Sequence, residues 1–268
     1  MSHYQRIACL STEAVETLYA LGAEDVIAGI SGFTVRPARA REEKTRISGF
    51  SSSNLERILA VEPDLVIGFC DMQADICRDL VMAGIEVHQF NQRTVDGILR
   101  MIAVLAALVQ REDAGRELIA SLRTDIAAAR TRAAAWTRKP VMYFEEWNDP
   151  LMSGIGWAAE LIAIAGGRDA FPELSVQPGA KERIIADSHD VVARAPDIIL
   201  ASWCGKKFQP TQLAARPGWD AIPAVKNQML FEIKSPDILS PGPAAITEGL
   251  RQISDIIARW QHLQEQQT

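Results

Sequence analysis

Two short stretches concentrate side chains capable of chemistry. Glu145-Glu146-Trp147 sets two carboxylates side by side, and Trp203-Cys204-Gly205-Lys206 sets a thiol near an amine. A carboxylate pair could serve acid–base catalysis, and a thiolate stabilised by a lysine could act as a nucleophile. If 145 and 146 lie in a strand they point to opposite faces, so at most one of them faces a given pocket. No histidine can be placed beside Cys204 as its base, so an inert thiol is the simpler expectation. The four histidines, His3, His88, His189 and His262, are scattered without ligand spacing. The four cysteines, Cys9, Cys70, Cys77 and Cys204, form no CxxC. No metal site is therefore expected. A phosphate-binding glycine loop is also missing; Gly154-Ile155-Gly156 before a helix is the nearest approach to an anion site.

The elements that must position these residues alternate between strand and helix. Short apolar runs at 6–10, 26–30, 65–69 and 85–90 read as strands, with a further short strand at 46–48. Between them Ser11-Thr12 opens a helix that Gly22 closes, Asn54 opens another, and helices are expected at 73–83 and 94–109. Later strands are expected at 140–144, 197–202 and 229–233, with helices at 157–165, 190–194 and 243–263. Such alternation implies an α/β fold with mostly parallel sheets. Residues 112–136 contain no proline, and Leu118, Leu122, Ile126 and Ala129 recur at one-face helical spacing. A helix of that length spans roughly 37 Å. It either packs across one core or joins two lobes.

An internal repeat favours two lobes. Ile58-Leu59-Ala60-Val61-Glu62-Pro63-Asp64-Leu65-Val66-Ile67 aligns, 133 positions on, with Val191-Val192-Ala193-Arg194-Ala195-Pro196-Asp197-Ile198-Ile199-Leu200. Each copy reads as a helix stopped by proline, then an aspartate, then an apolar strand. The expected division is a first lobe at 1–110, a linking helix at 111–138 and a second lobe at 139–268. Ligands of open α/β sheets bind beyond the carboxyl ends of the strands. Those ends would supply Ser11, Thr12, Phe33, Phe50, Phe69, Cys70 and Asp71 from the first half. From the second they would supply Glu145, Glu146, Trp147, Trp203 and Cys204. Only 6% of the chain is aromatic, yet aromatic residues gather at these exits. They suit either a large, partly apolar ligand or a packed contact between lobes.

Composition narrows the partners. Hydrophobic residues make up 48% and charged residues 23% of the 268, with a net charge of −6. An acidic balance without a basic patch argues against nucleic acid. The longest apolar run, 101–109, is too short to span a membrane, so no membrane insertion is expected. The N-terminus shows no secretory h-region, and the cysteines are isolated; both features point to the cytoplasm. A trimmed signal would make the location periplasmic.

With these residues in view, the chain resembles the helix-linked class of substrate-binding proteins, and within it the vitamin B12 (cobalamin) binders. The resemblance rests on Leu10-Ser11-Thr12-Glu13 through Gly22, Asn54-Leu55-Glu56-Arg57-Ile58 and Glu62-Pro63-Asp64-Leu65-Val66-Ile67. In the second half it rests on Gly166-Gly167, Ala195-Pro196-Asp197 and Ile222-Pro223-Ala224-Val225-Lys226-Asn227. It implies two Rossmann-like lobes joined by a long helix, with a cleft that changes little on binding. It also implies a cobalamin or related corrinoid as bound ligand rather than catalytic cofactor, flanked by Phe33, Phe50 and Phe69. Trp147 and Trp203 would add apolar walls, and Glu145 or Glu146 would accept amide donors. A permease of the ABC type would dock through Glu56, whereas the second docking position holds His189. The segments YFEEWNDP, ASWCGKK and SPGPAA resemble a signal-less, cobalamin-binding subgroup. The expectation is a non-enzymatic corrinoid binder. One alternative is the soluble component of an importer for a corrinoid or ferric chelate. Another is an enzyme using Glu145, Glu146 and Cys204.

Overall fold

The architecture comes from a computed structural model that describes residues 3–49 and 52–266. The chain divides into two compact units, residues 1–92 with 96–122, and residues 93–95 with 123–268.

The first unit alternates strictly: β1 (Ile7–Cys9), α1 (Thr12–Ala20), β2 (Ile27–Ser31), α2 (Ala40–Glu43), β3 (Thr45–Ser48), α3 (Leu55–Leu59), β4 (Leu65–Phe69), α4 (Ala74–Met82) and β5 (Glu86–Phe90). Its strands form one parallel sheet in the order β3-β2-β1-β4-β5. Uninterrupted apolar runs mark strands covered on both faces; accordingly β1 and β4 are buried along their whole length. On one face Ala8, Leu10, Ile47, Ile58, Val66 and Leu80 form a core closed by Leu55, Leu59 and Ile76 from α3 and α4. Helix α5 (Val95–Leu108) buries Ile98, Ile102 and Leu105 completely.

Helix α6 (Glu112–Ala134) is continuous, and the division between the units falls within it, after Leu122. Leu122, Ile126 and Ala129 are buried along one face, as the spacing predicts, while Leu118 is half-buried. The glycine in α6, Gly115, lies where a Cβ would meet that of Ala106 at 2.5 Å. Its missing side chain is what lets α6 start close against α5.

The second unit contains β6 (Val141–Asn148), β7 (Leu151–Ser153), α7 (Gly156–Ile164), β8 (Arg168–Asp169), α8 (Pro172–Ser175), α9 (His189–Arg194), β9 (Ile198–Ala201), α10 (Pro210–Ala214), α11 (Pro223–Lys226), β10 (Leu230–Glu232), α12 (Ser235–Ile238) and α13 (Leu250–Gln266). The sheet runs β10-β9-β6-β7, parallel except for the β6–β7 hairpin, with β8 also paired to β6. Strand β6 runs four residues beyond its expected end at Phe144, because β7 folds back after Asp149-Pro150 and pairs with 145–148. A π-helical turn at Ala245–Gly249 leads into α13.

The repeat has a structural basis. Glu62 and Ala195, each preceding the proline, adopt left-handed backbone with φ of 47° and 46°. Asp64 then donates its N–H to Arg6 O at 3.0 Å and accepts the N–H groups of Gln5 and Arg6 on its carboxylate at 2.6 and 3.0 Å. Asp197 donates to Val141 O and accepts from Val141 N, both at 2.8 Å. In each unit the aspartate therefore ties the entrance of one strand to its parallel neighbour: β1 to β4, and β6 to β9. The two halves share local topology, and the fold is α/β with two lobes and mostly parallel sheets.

Candidate functional site

At the carboxyl edge of the first sheet, Ser11 is buried and Thr12 half-buried where β1 passes into α1. Gln73, also buried, donates to Leu10 O at 3.2 Å and accepts the N–H of Phe69 at 2.9 Å, locking the ends of β1 and β4 together. Cys70 turns through φ 62° and accepts from Gln89 Nε2 at 2.5 Å. This framework leaves apolar groups open on the loops. Phe33 is 64% exposed, Met72 57% and Val35 36%. Among the described residues six large hydrophobic side chains are exposed, and these three leave β2 and β4, the strands on either side of β1. Phe33 was legible from its type and position. Val35 and Met72 follow β2 and β4 as single apolar residues in loops, and no pattern in the sequence distinguishes them. Phe69, expected as an open wall, is instead buried at 6%, since it closes a strand covered on both faces. Phe50 lies outside the described residues.

Glu13, in the first turn of α1, went unnoticed in the sequence because an acid there reads as an ordinary helix start. Its carboxyl is 3% exposed, and burial pushes it up to about 7. One of its oxygens has no hydrogen-bond partner among the described residues.

In the second unit the two adjacent glutamates of β6 point to opposite sides, as strand alternation requires. Glu145 is fully buried and receives Arg216 through both terminal nitrogens at 2.6 and 2.9 Å. Trp203 Nε1 and Tyr143 Oη also donate to it, at 2.8 and 3.1 Å. The guanidinium of Arg216 stacks 4.4 Å from the ring centroid of Trp219. Glu146 is held by the buried Arg183 at 2.5 and 3.1 Å, and Arg183 also donates to Ser153 O at 2.7 Å. The expectation that either carboxylate waits for ligand amides is corrected: both are engaged by arginines, and Glu145 is sealed from solvent. Trp203 is likewise an internal residue, 3% exposed and edge-on to Phe208 at 5.2 Å, rather than an open wall. Its indole N–H is committed to Glu145, which draws the ring inward.

Trp147 is half-buried near the tip of the β6–β7 hairpin and donates to Asp149 O at 2.8 Å. Cys204 is exposed, and its thiol is raised first by desolvation and then by the Glu146 carboxylate. That is the opposite of an activated nucleophile. Glu56 is exposed in the first turn of α3, and His189 is exposed at the start of α9 with Nδ1 3.0 Å from Asp187. Among the described residues no cluster of His, Cys, Asp and Glu could hold a metal ion. No helix among them is long and apolar enough to cross a membrane.

This architecture recurs in solved structures. The periplasmic vitamin B12 binding protein of Vibrio cholerae superposes with a TM-score of 0.78 at 20% identity, over 96% of this chain and 98% of its own. A periplasmic haem-binding protein in complex with two haems gives 0.79 at 23% identity, over 94% and 98%. At these identities the likeness establishes the fold. In sequence, the vitamin B12-binding protein of Vibrio campbellii is 26% identical over 202 residues, 74% of this chain and 70% of its own length. The family model described as periplasmic binding protein matches residues 7–236. Since that match takes in every strand of both sheets and the whole of α6, the chain belongs to the periplasmic binding protein family.

Proposed function

We propose that the chain binds a cobalamin-type corrinoid without transforming it, and serves as the substrate-binding component of an ABC importer. The observation that carries this is the set of open apolar side chains, Phe33, Val35 and Met72, at the carboxyl edge of the first sheet. Large apolar groups left open on the loops after β2 and β4 mark a binding surface, and a broad ligand with apolar faces fits them. The family and its vitamin B12-binding relatives support the same ligand class. Residues 1–110 and 139–268 are taken as the two lobes and 111–138 as the linking helix. Thr12, Phe33, Phe50 and Trp147 are the ligand contacts retained from the sequence, joined by Val35 and Met72, while Ser11, as buried as Phe69, is set aside with it. Glu56 is the carboxylate offered to the permease. The enzymatic alternative finds no support in a raised Cys204 thiol and two committed glutamates. The family also favours a periplasmic location over the cytoplasmic one expected from the N-terminus.

The double variant Phe33→Ser/Met72→Ser tests the apolar edge. Both side chains are exposed, so stability should change by less than about 1 kcal/mol, while cyanocobalamin affinity falls by roughly tenfold or more. An unchanged affinity would remove these residues from the site.

A further inference from the structure

At the carboxyl edge of the second sheet a lysine, Lys206, stands without a carboxylate partner among the described residues. Strand β9 ends at Ala201, and the loop after it turns at Gly205, with φ 77°, where Lys206 N donates to Trp203 O at 2.9 Å. This turn sets the Lys206 ammonium 4.2 Å from the centroid of the Trp147 ring. Three acids of the second unit are already paired with other cations. Glu145 is neutralised by Arg216, Glu146 by Arg183, and Glu232 by Lys234 at 2.6 Å. Lys207 lies within the field of Glu232. Asp149, at the hairpin tip, offers its backbone carbonyl to Trp147, and its exposed carboxylate forms no ion pair with Lys206. Among the described residues no carboxylate comes within 4 Å of the Lys206 ammonium. A long, rotamer-rich lysine is thus held by an aromatic face alone, in an acidic chain with a net charge of −6.

We infer that Lys206, seated on Trp147, is the receptor for an anionic oxygen group carried by the ligand, and so sets specificity within the corrinoid class. The assignment rests on corrinoid binding as proposed above. An aromatic seat restrains the ammonium without neutralising it, so part of the ordering cost is met before the ligand arrives. The matching chemistry is a phosphodiester or a carboxylate at the ligand periphery, which a lysine meets as a point charge.

Calorimetric titration with cyanocobalamin, which carries a phosphodiester, and dicyanocobinamide, which has the same ring but no phosphate, provides the test. The wild-type protein should prefer cyanocobalamin by roughly fivefold to tenfold at low salt, and the preference should shrink at high salt. Lys206→Gln should abolish the preference by weakening cyanocobalamin alone, and Lys206→Arg should restore most of it. An equal preference in wild type and Lys206→Gln would overturn the inference while leaving corrinoid binding intact. If neither corrinoid binds the wild-type protein, corrinoid binding itself falls, and haemin, with its carboxylates, becomes the probe. Weaker haemin binding by Lys206→Gln would then sustain the anion receptor, and equal binding would end it.

Discussion

Glu145 accepts four hydrogen bonds in a site closed to water, two of them from Arg216. Breaking such a pair strands a buried charge, so Glu145→Gln should cost about 3–5 kcal/mol. Urea denaturation would show this as a lower midpoint at unchanged slope. Glu145→Gln combined with Arg216→Met should recover a good part of the loss, because no unpaired charge remains. Glu13 gives a prediction of opposite character. Its folded-state carboxyl titrates at about 7, above the ordinary value of 4.5. A raised acid stabilises the fold fully below its unfolded pKa, and that contribution is lost as pH rises through the folded value. The complete shift corresponds to about 3 kcal/mol. Wild-type stability should therefore fall between pH 5 and pH 8 relative to Glu13→Gln, which cannot ionise. Parallel pH dependences in the two proteins would show that Glu13 is not held neutral. Cys204 should react with iodoacetamide no faster than a free thiol at neutral pH, since its thiol is raised.

Among the elements, the helix–proline–aspartate–strand unit carries the most testable design. The Asp64 carboxylate holds the start of its neighbouring strand through two main-chain N–H groups, and the Asp197 carboxylate through one. Asp64→Ala and Asp197→Ala should each destabilise by about 1–3 kcal/mol, readable as a lower melting temperature. Near-zero effects would mean that the repeated aspartates are incidental. This unit was legible in the sequence because all its parts are local: a breaker, a polar residue and an apolar run. Strand β4 matches its expected limits, 65–69, for the same reason. The unpredicted elements are short or depend on distant partners. Helix α2 has four residues, three of them charged. Strands β7 and β8 exist only because β6 offers them an edge. The expected strand at 140–144 was too short because nothing in Glu145-Glu146-Trp147-Asn148 announces a returning β7.

For the whole molecule, alternation and the repeat were enough to reach a two-lobed α/β protein, while the site was only partly legible. Residue type placed Phe33 and Trp147 at strand ends, but burial decided which aromatics stay open. Glu145 meets Arg216 across 71 residues and Trp203 across 58, separations that no local pattern encodes. The importer role makes a prediction at this scale too: in cells carrying the native gene, fractionation should recover the protein from the periplasm. Recovery from the cytosol alone would exclude delivery to a permease from outside. Ligand binding itself is tested most directly by equilibrium titration of the purified protein with cyanocobalamin and hydroxocobalamin, followed by tryptophan fluorescence and by co-elution on gel filtration. Saturable one-to-one binding at micromolar or lower concentration is the predicted result. An unchanged fluorescence together with no co-eluting corrinoid at micromolar concentration would contradict it.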